Sequence, residues 1–171
     1  MNEVFFLLGS NLGDRLDNLF NASNFIELKI GKIFRKSSIY ETEPFGNKNQ
    51  PYYLNQVVSV LSDPSPHDLL DITMNIEKSM GRIRKEKWEE REIDIDILFY
   101  GDQIIKESYL SIPHSGIEFR RFTLVPLDEI IPFFNHPSID KQVNELLNNS
   151  EDPLVVNFYF SSPNKGKFNN M

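Results

Sequence analysis

Residues 81–100 read GRIRKEKWEEREIDIDILFY, and the second half of that stretch alternates strictly. In an extended chain Ile93, Ile95, Ile97 and Phe99 fall on one side, and Asp94, Asp96, Leu98 and Tyr100 on the other. The two carboxylates leave the same face about 6–7 Å apart at the backbone. Strand stability does not ask for this, because Asp is depleted in strands and like charges repel. A hard divalent cation turns that repulsion into binding, since magnesium prefers carboxylate oxygens and shares itself with substrate phosphates. Leu98 on the same side argues that this face turns inward. Of the seven arginines, five lie between positions 82 and 121, flanking the aspartates on both sides. Guanidinium forks match phosphate geometry. A lone D-x-D pair is a weak signal, and a basic run alone is usually a solvated loop; together they point to a polyphosphate held by metal and arginine.

Outward from this stretch, the elements read in order as strand, helix, strand, strand, helix, strand. Val4–Leu8 is an apolar run closed by Gly9, with Ser10-Asn11 as an N-cap and Leu12, Leu16, Leu19, Phe20 and Ile26 as the buried stripe of a helix. Ile33–Tyr40 reads as a second strand. It enters ETEPFGNKNQPYY, a connection long enough to suggest function. Leu54–Leu61 is the third strand, with Asn55 and Val57 on the face of Tyr53. Tyr53 and Asn55 read either as an ordinary surface pair, which the residues alone favour, or as a stacking ring and amide donor for a flat heterocycle. Ser65-Pro66 opens a helix with Leu69, Ile72, Ile76 and Met80 inward and Gly81 at its end. Leu70, Met74 and Glu77 form a second row on it, where Glu77 reads as solvated. A short partner strand is expected at Gln103–Ile105. His114 falls in a loop after Pro113, and His67 and His136 read as surface residues. Ile139–Leu147 is a helix candidate and Leu154–Phe160 an edge strand.

This order predicts an α+β fold: a ferredoxin-like βαββαβ antiparallel sheet with helices mainly on one face, a short extra hairpin and a C-terminal extension. The 171 residues, 40% hydrophobic, suit one domain over 1–160 with a flexible tail over 161–171. A net charge of −7 argues against a nucleic-acid-coating surface. Without cysteine there are no disulfides and no thiol chemistry. No signal-like N-terminus is present, and no apolar run approaches the roughly 20 residues that span a bilayer. The expectation is a cytoplasmic protein with no membrane or nucleic-acid partner.

Several segments in their order and spacing resemble the 6-hydroxymethyl-7,8-dihydropterin pyrophosphokinase family of folate biosynthesis. They are LLGSNLGDR (7–15), SSIYETEPFG (37–46), QPYYLNQVV (50–58), IEKSMGRIR (76–84), REIDIDILFYG (91–101), IPH (112–114) and RRFTLVPLDEIIP (120–132). The resemblance implies transfer of the diphosphate of ATP to the hydroxymethyl oxygen of the dihydropterin, releasing AMP. It implies that Asp94 and Asp96 hold two magnesium ions, and that Arg82 and Arg91 act catalytically from a loop over the site, with Trp88 in its lid. It places Leu70, Glu77, Arg84, Trp88, Ile97, Ser111, His114 and Arg120 at the nucleotide. Thr42, Phe45, Tyr53, Asn55 and Phe122 fall in the pterin pocket, the pterin stacking between Tyr53 and Phe122. The partners implied are small molecules only, and a monomer is expected. Glu89-Glu90, Met74, Ser115 and Arg121 depart from the family's usual residues and bear on binding constants and lid closure. Two other readings stay open: another magnesium-dependent nucleotidyl or phosphoryl transferase, which leaves Tyr53, Asn55 and Phe122 without a role, and a non-catalytic ligand-binding module. AMP as product separates the first from the leading reading, and binding without magnesium marks the second.

Overall fold

The computed structural model describes residues 1–44, 49–82 and 90–161. Phe45, Arg84, Trp88, Glu89 and the tail from 162 lie outside the described residues. Strand β1 (Asn2–Ser10) runs down the middle of an antiparallel sheet, between β5 (Asp94–Tyr100) and β4 (Tyr53–Ser62). Beyond β4 come β2 (Ile33–Lys36) and β3 (Ile39–Thr42), and β8 (Val156–Phe160) closes the far edge against β3. The expected second strand is thus two, because Ser37 and Ser38 turn into the protein between them. Ser37 Oγ accepts from the Val57 N–H at 2.9 Å, and Ser38 donates to Glu129 through its N–H and its hydroxyl at 2.7 and 2.8 Å.

Helices α1 (Arg15–Lys29) and α2 (Pro66–Ser79) cover one face, burying Leu19, Ala22, Ile26, Leu69 and Ile76 against Phe6, Leu8, Val58 and Ile95. The cap of α1 is Asp14, whose carboxylate accepts from the Asp17 N–H at 3.0 Å, rather than Ser10-Asn11. Both earlier residues are buried, and Asn11 is spent elsewhere: its Oδ1 accepts from the Arg91 N–H at 2.9 Å. Ser65 and Asp68 form a reciprocal capping box on α2, and Gly81 leaves the helix end at φ +97°. On the opposite face α3 (Arg121–Ile130) and α4 (Val143–Asn148) pack over Phe5, Leu7, Val57 and Phe99. The C-terminal helix is shorter than its sequence pattern, with Gln142 as its cap.

The alternation in β5 does not survive to its end. Phe5 pairs with Phe99 but Phe6 with Ile97, so Leu98 is an inserted residue in the ladder. Leu98 and Phe99 both pack on the α3 side, and Tyr100 crosses to the α2 side, exchanging the faces that simple alternation gave Phe99 and Tyr100. The expected partner strand after Gly101 is also displaced: β6 (Ile105–Lys106) pairs with β7 (Ser111–Ile112) as a separate hairpin. His136 is buried rather than superficial, 4% exposed and edge-on to Phe99 at 5.4 Å. No helix among the described residues is long and apolar enough to cross a membrane.

Candidate active site

The register of the three central strands assembles the site. Asp94 lies opposite Gly9 and Asp96 opposite Leu7, while Asn55 and Val57 lie opposite the same two residues from the other side. Opposed residues share a face, so Asp94, Asp96, Asn55 and Tyr53 all look toward the side carrying α3. There α3 covers only part of the sheet, and the remainder forms the floor of a cleft of about 840 Å³. Gly9 sits at its centre: a Cβ there would lie 3.1 Å from Asn55 Oδ1. The cleft continues over the β5 edge toward α2 and the β6–β7 hairpin, where Leu70, Glu77, Ile97, Ser111, His114 and Arg120 line it.

One wall is charged. Asp94 receives Arg82 at 2.5 Å on Oδ1 and Arg91 at 2.8 Å on Oδ2. Arg82 also pairs with Glu77, which is 4% exposed and accepts the Ile95 N–H at 2.8 Å. The solvated reading of Glu77 therefore fails; its carboxylate positions an arginine and caps the start of β5. Burial pushes the Asp96 carboxyl up to about 7, with the Asp94 and Glu77 carboxylates adding to the effect and Arg120 and Arg82 opposing it. Carboxylates that crowd one another in this way are relieved by a cation. Among the described residues no three or more His, Cys, Asp or Glu side chains gather into a metal cage. The donor set fits a hard ion that takes Asp94 and Asp96 oxygens and draws its other ligands from phosphate and water.

The opposite wall is aromatic and amide. Asn55 is 3% exposed and donates from Nδ2 to Thr42 Oγ1 at 2.9 Å, so the surface-pair reading also fails. Tyr53 and Phe122 both line the cleft, and burial raises the Tyr53 hydroxyl's pKa against the pull of Arg91, which hydrogen-bonds to it. Arg91 thus joins the charged wall to the aromatic one. Between them His114 holds a fixed tautomer, because its Nδ1 accepts from the Gly116 N–H at 3.1 Å. Burial and then Arg120 lower its pKa, leaving a neutral ring with Nε2–H to offer. Gly116 has a further use that the sequence reading missed: a Cβ there would come within 2.7 Å of Arg120 Cζ, so the missing side chain is where that guanidinium lies. From sequence Gly9 reads only as the close of a strand and Asn11 as part of a helix cap, and nothing in the residues around Gly116 marks it.

Of the residues singled out from sequence, Thr42, Tyr53, Asn55, Leu70, Glu77, Arg82, Arg91, Asp94, Asp96, Ile97, Ser111, His114, Arg120 and Phe122 meet in this one cleft. Phe45, Arg84 and Trp88 fall outside the described residues.

The sequence profile of the 7,8-dihydro-6-hydroxymethylpterin-pyrophosphokinase family matches residues 5–132. A Synechocystis protein named 2-amino-4-hydroxy-6-hydroxymethyldihydropteridine pyrophosphokinase is 41% identical over 82% of this chain and 72% of its own. One of the same name from Aquifex aeolicus is 40% identical over 85% and 90%. Among solved structures, Plasmodium falciparum HPPK-DHPS with pterin and p-hydroxybenzoate superposes with a TM-score of 0.70 at 21% identity, over 86% of this chain. This chain spans 41% of that longer protein, a likeness of fold.

Proposed function

The chain belongs to the 7,8-dihydro-6-hydroxymethylpterin-pyrophosphokinase family, and from that premise we propose how its cleft performs the family's reaction. The protein transfers the diphosphate group of ATP to the hydroxymethyl oxygen of 6-hydroxymethyl-7,8-dihydropterin, in folate biosynthesis. Phosphoryl transfer asks for positioning and charge neutralisation more than for a reactive side chain.

In this reading Tyr53 and Phe122 stack the pterin ring while Asn55 and Thr42 take its polar edge. Asn55 Oδ1 is the acceptor and the Thr42–Asn55 bond fixes the amide's orientation. Arg82 and Arg91 are guanidiniums paired with Asp94, and they meet the phosphate oxygens as a nucleotide enters. His114 Nε2–H and Arg120 donate to phosphate, and Leu70, Ile97 and Ser111 border the nucleoside. Asp94 and Asp96 would hold magnesium, as two ions, which when bound screens the triphosphate charge and lowers the pKa of the attacking hydroxyl. The nucleotide and pterin walls come from one chain, which goes with a monomer acting on small molecules, in the cytoplasm where ATP is available.

The observation that carries this reading is the juxtaposition, in a single cleft, of the Asp94–Asp96–arginine wall and the Asn55–Tyr53–Phe122 wall. A metal-dependent nucleotidyltransferase would use the first and leave the second idle. The test is incubation with ATP, magnesium and 6-hydroxymethyl-7,8-dihydropterin, with the nucleotide product identified. AMP is expected; ADP or free pyrophosphate would refute the assignment.

A further inference from the structure

The sheet continues past residue 132, the last that the family profile matches, and the C-terminal segment returns to the pterin side of the cleft. Strand β3 ends on Thr42, and against β4 it has only three paired positions, Tyr40, Glu41 and Thr42. Without β8 it would be a four-residue edge. With β8 it is paired on both sides, Thr42 opposite Val156 and Glu41 opposite Asn157. Side chains add to the ladder: Phe158 meets Tyr40 edge-on at 6.3 Å, and Phe160 meets Phe20 of α1 in the same way.

Two residues tie this addition to the cleft walls. Asp152, just ahead of β8, accepts from the Arg121 N–H at 2.8 Å through Oδ2 and from the Leu154 N–H at 3.0 Å through Oδ1. The first turn of α3 has no side-chain cap of its own, and Phe122 follows directly on Arg121. Arg15 lies beneath the Tyr159 ring, 5.9 Å from its centroid, and donates at 2.7 Å both to Glu41 and to the Tyr52 carbonyl. It therefore joins the strand that carries Thr42 to the residue before Tyr53.

We propose that residues 152–160, acting with Arg15, are a brace that positions the pterin-binding wall, with Asp152 setting Phe122 and Arg15–Tyr159 setting Thr42 and Tyr53. The proposal rests on the pterin reading of that wall given above. None of the brace residues lines the cleft, so their effect is one of position. It falls more on the pterin than on the nucleotide, whose boundary is mostly α2, β5 and the β6–β7 hairpin; Arg120, the cap residue of α3 next to Arg121, is the nucleotide contact that Asp152 also reaches.

The experiment uses the full chain and steady-state kinetics with each substrate varied in turn. Arg15→Gln should raise KM for the pterin about tenfold, equivalent to ~1.4 kcal/mol, with KM for ATP and kcat unchanged, and Asp152→Ala should raise it as much, with a smaller rise in KM for ATP through Arg120. Asp152→Asn keeps one of the two acceptor oxygens, enough for the Arg121 N–H but not for the Leu154 N–H as well, and should raise the pterin KM less than Asp152→Ala. Tyr159→Phe should behave as wild type, while Tyr159→Leu should follow Arg15→Gln in direction. KM values for both substrates that rise to the same extent, or a pterin KM that does not move, would overturn the brace. Should Asp152→Ala or Arg15→Gln fail to fold, the partly exposed Tyr159 pair decides by the same split. Asn55→Leu is run alongside: an unchanged pterin KM there refutes the pterin wall itself, whereas a raised one with silent brace variants refutes the brace alone.

Discussion

Replacing Asp96 by Asn should separate stability from activity. Three carboxylates, Asp94, Asp96 and Glu77, converge on the start of β5, and the Asp96 carboxyl rises from 3.8 to about 7 in consequence. A carboxyl with a higher pKa in the folded protein than in the unfolded chain favours folding while both forms hold the proton. That advantage is lost as pH rises from about 4 through 7, because the unfolded chain ionises first and more cheaply. Above pH 7 the metal-free protein carries a carboxylate that it holds poorly. About three pKa units at ~1.36 kcal/mol each set a ceiling of about 4 kcal/mol. Part of Asp96 remains open to the cleft, so water and salt there bring the expectation to about 2 kcal/mol.

Asparagine keeps the shape of the side chain and removes the charge. In the presence of a chelator Asp96→Asn should therefore be about 2 kcal/mol more stable than wild type at pH 8 and indistinguishable from it near pH 4. Turnover at saturating magnesium should fall by at least about a thousandfold, since each factor of ten is ~1.4 kcal/mol of barrier and a lost metal ligand removes several such steps. Urea denaturation at pH 4, 6 and 8 gives the first quantity, and AMP release the second. Equal stability at pH 8, or the same gain at pH 4, would refute the convergence of charge. Turnover near normal would refute the metal-ligand role.

Glu129→Ala removes the acceptor for the Ser38 N–H, the Ser38 hydroxyl and the Tyr40 hydroxyl, the last at 3.0 Å. It should cost about 3 kcal/mol in urea, with a raised midpoint counting against the accounting. Burial holds the His136 pKa below its usual value; the unfolded chain is therefore protonated first, and stability falls as pH drops below 6.5. In His136→Phe that part of the slope should be missing when the two proteins are compared between pH 7 and 5 by thermal melts. Gly116→Ala should displace Arg120, the far end of a side chain free to turn, and raise KM for ATP while leaving the melting temperature and the pterin KM unchanged.

The residues whose environment could be read from sequence are those that their neighbours in the chain decide. Ser65 caps α2, Pro66 opens its first turn and Gly81 ends it, all by contacts within a turn. Asp94 and Asp96 share a face because side chains two positions apart in a strand point the same way. Glu77, Asn55 and His136 were misjudged for the opposite reason. Each is polar and taken alone belongs outside, yet each is buried. For Glu77 and Asn55 the partners that make burial tolerable are distant in sequence: Ile95 N–H for the one and Thr42 for the other. The bulge at Leu98 was hidden differently. Leu98, Phe99 and Tyr100 are all large and apolar, so the pattern reads equally well with or without an inserted residue, and only the pairing with Phe5 and Phe6 reveals it.

The location of the cleft is set by how far α3 reaches along the sheet. On the face it covers, each central strand changes character from one end to the other: Phe5, Leu7, Gly9 on β1; Leu98, Asp96, Asp94 on β5; Val57, Asn55, Tyr53 on β4. The apolar end of each series lies in the core under α3 and α4, and the polar end begins where that cover stops. Arg121 opens the helix and Phe122 stands at its rim, so the first turn of α3 is both the edge of the core and a wall of the site. Arg120, its cap residue, supplies no side-chain hydrogen bond to that helix start, and its guanidinium lies instead over the Phe122 ring at 5.8 Å. Asp152 on the returning chain accepts the helix's first free N–H, and this is the contact through which the proposed brace would bear on the proposed pterin wall.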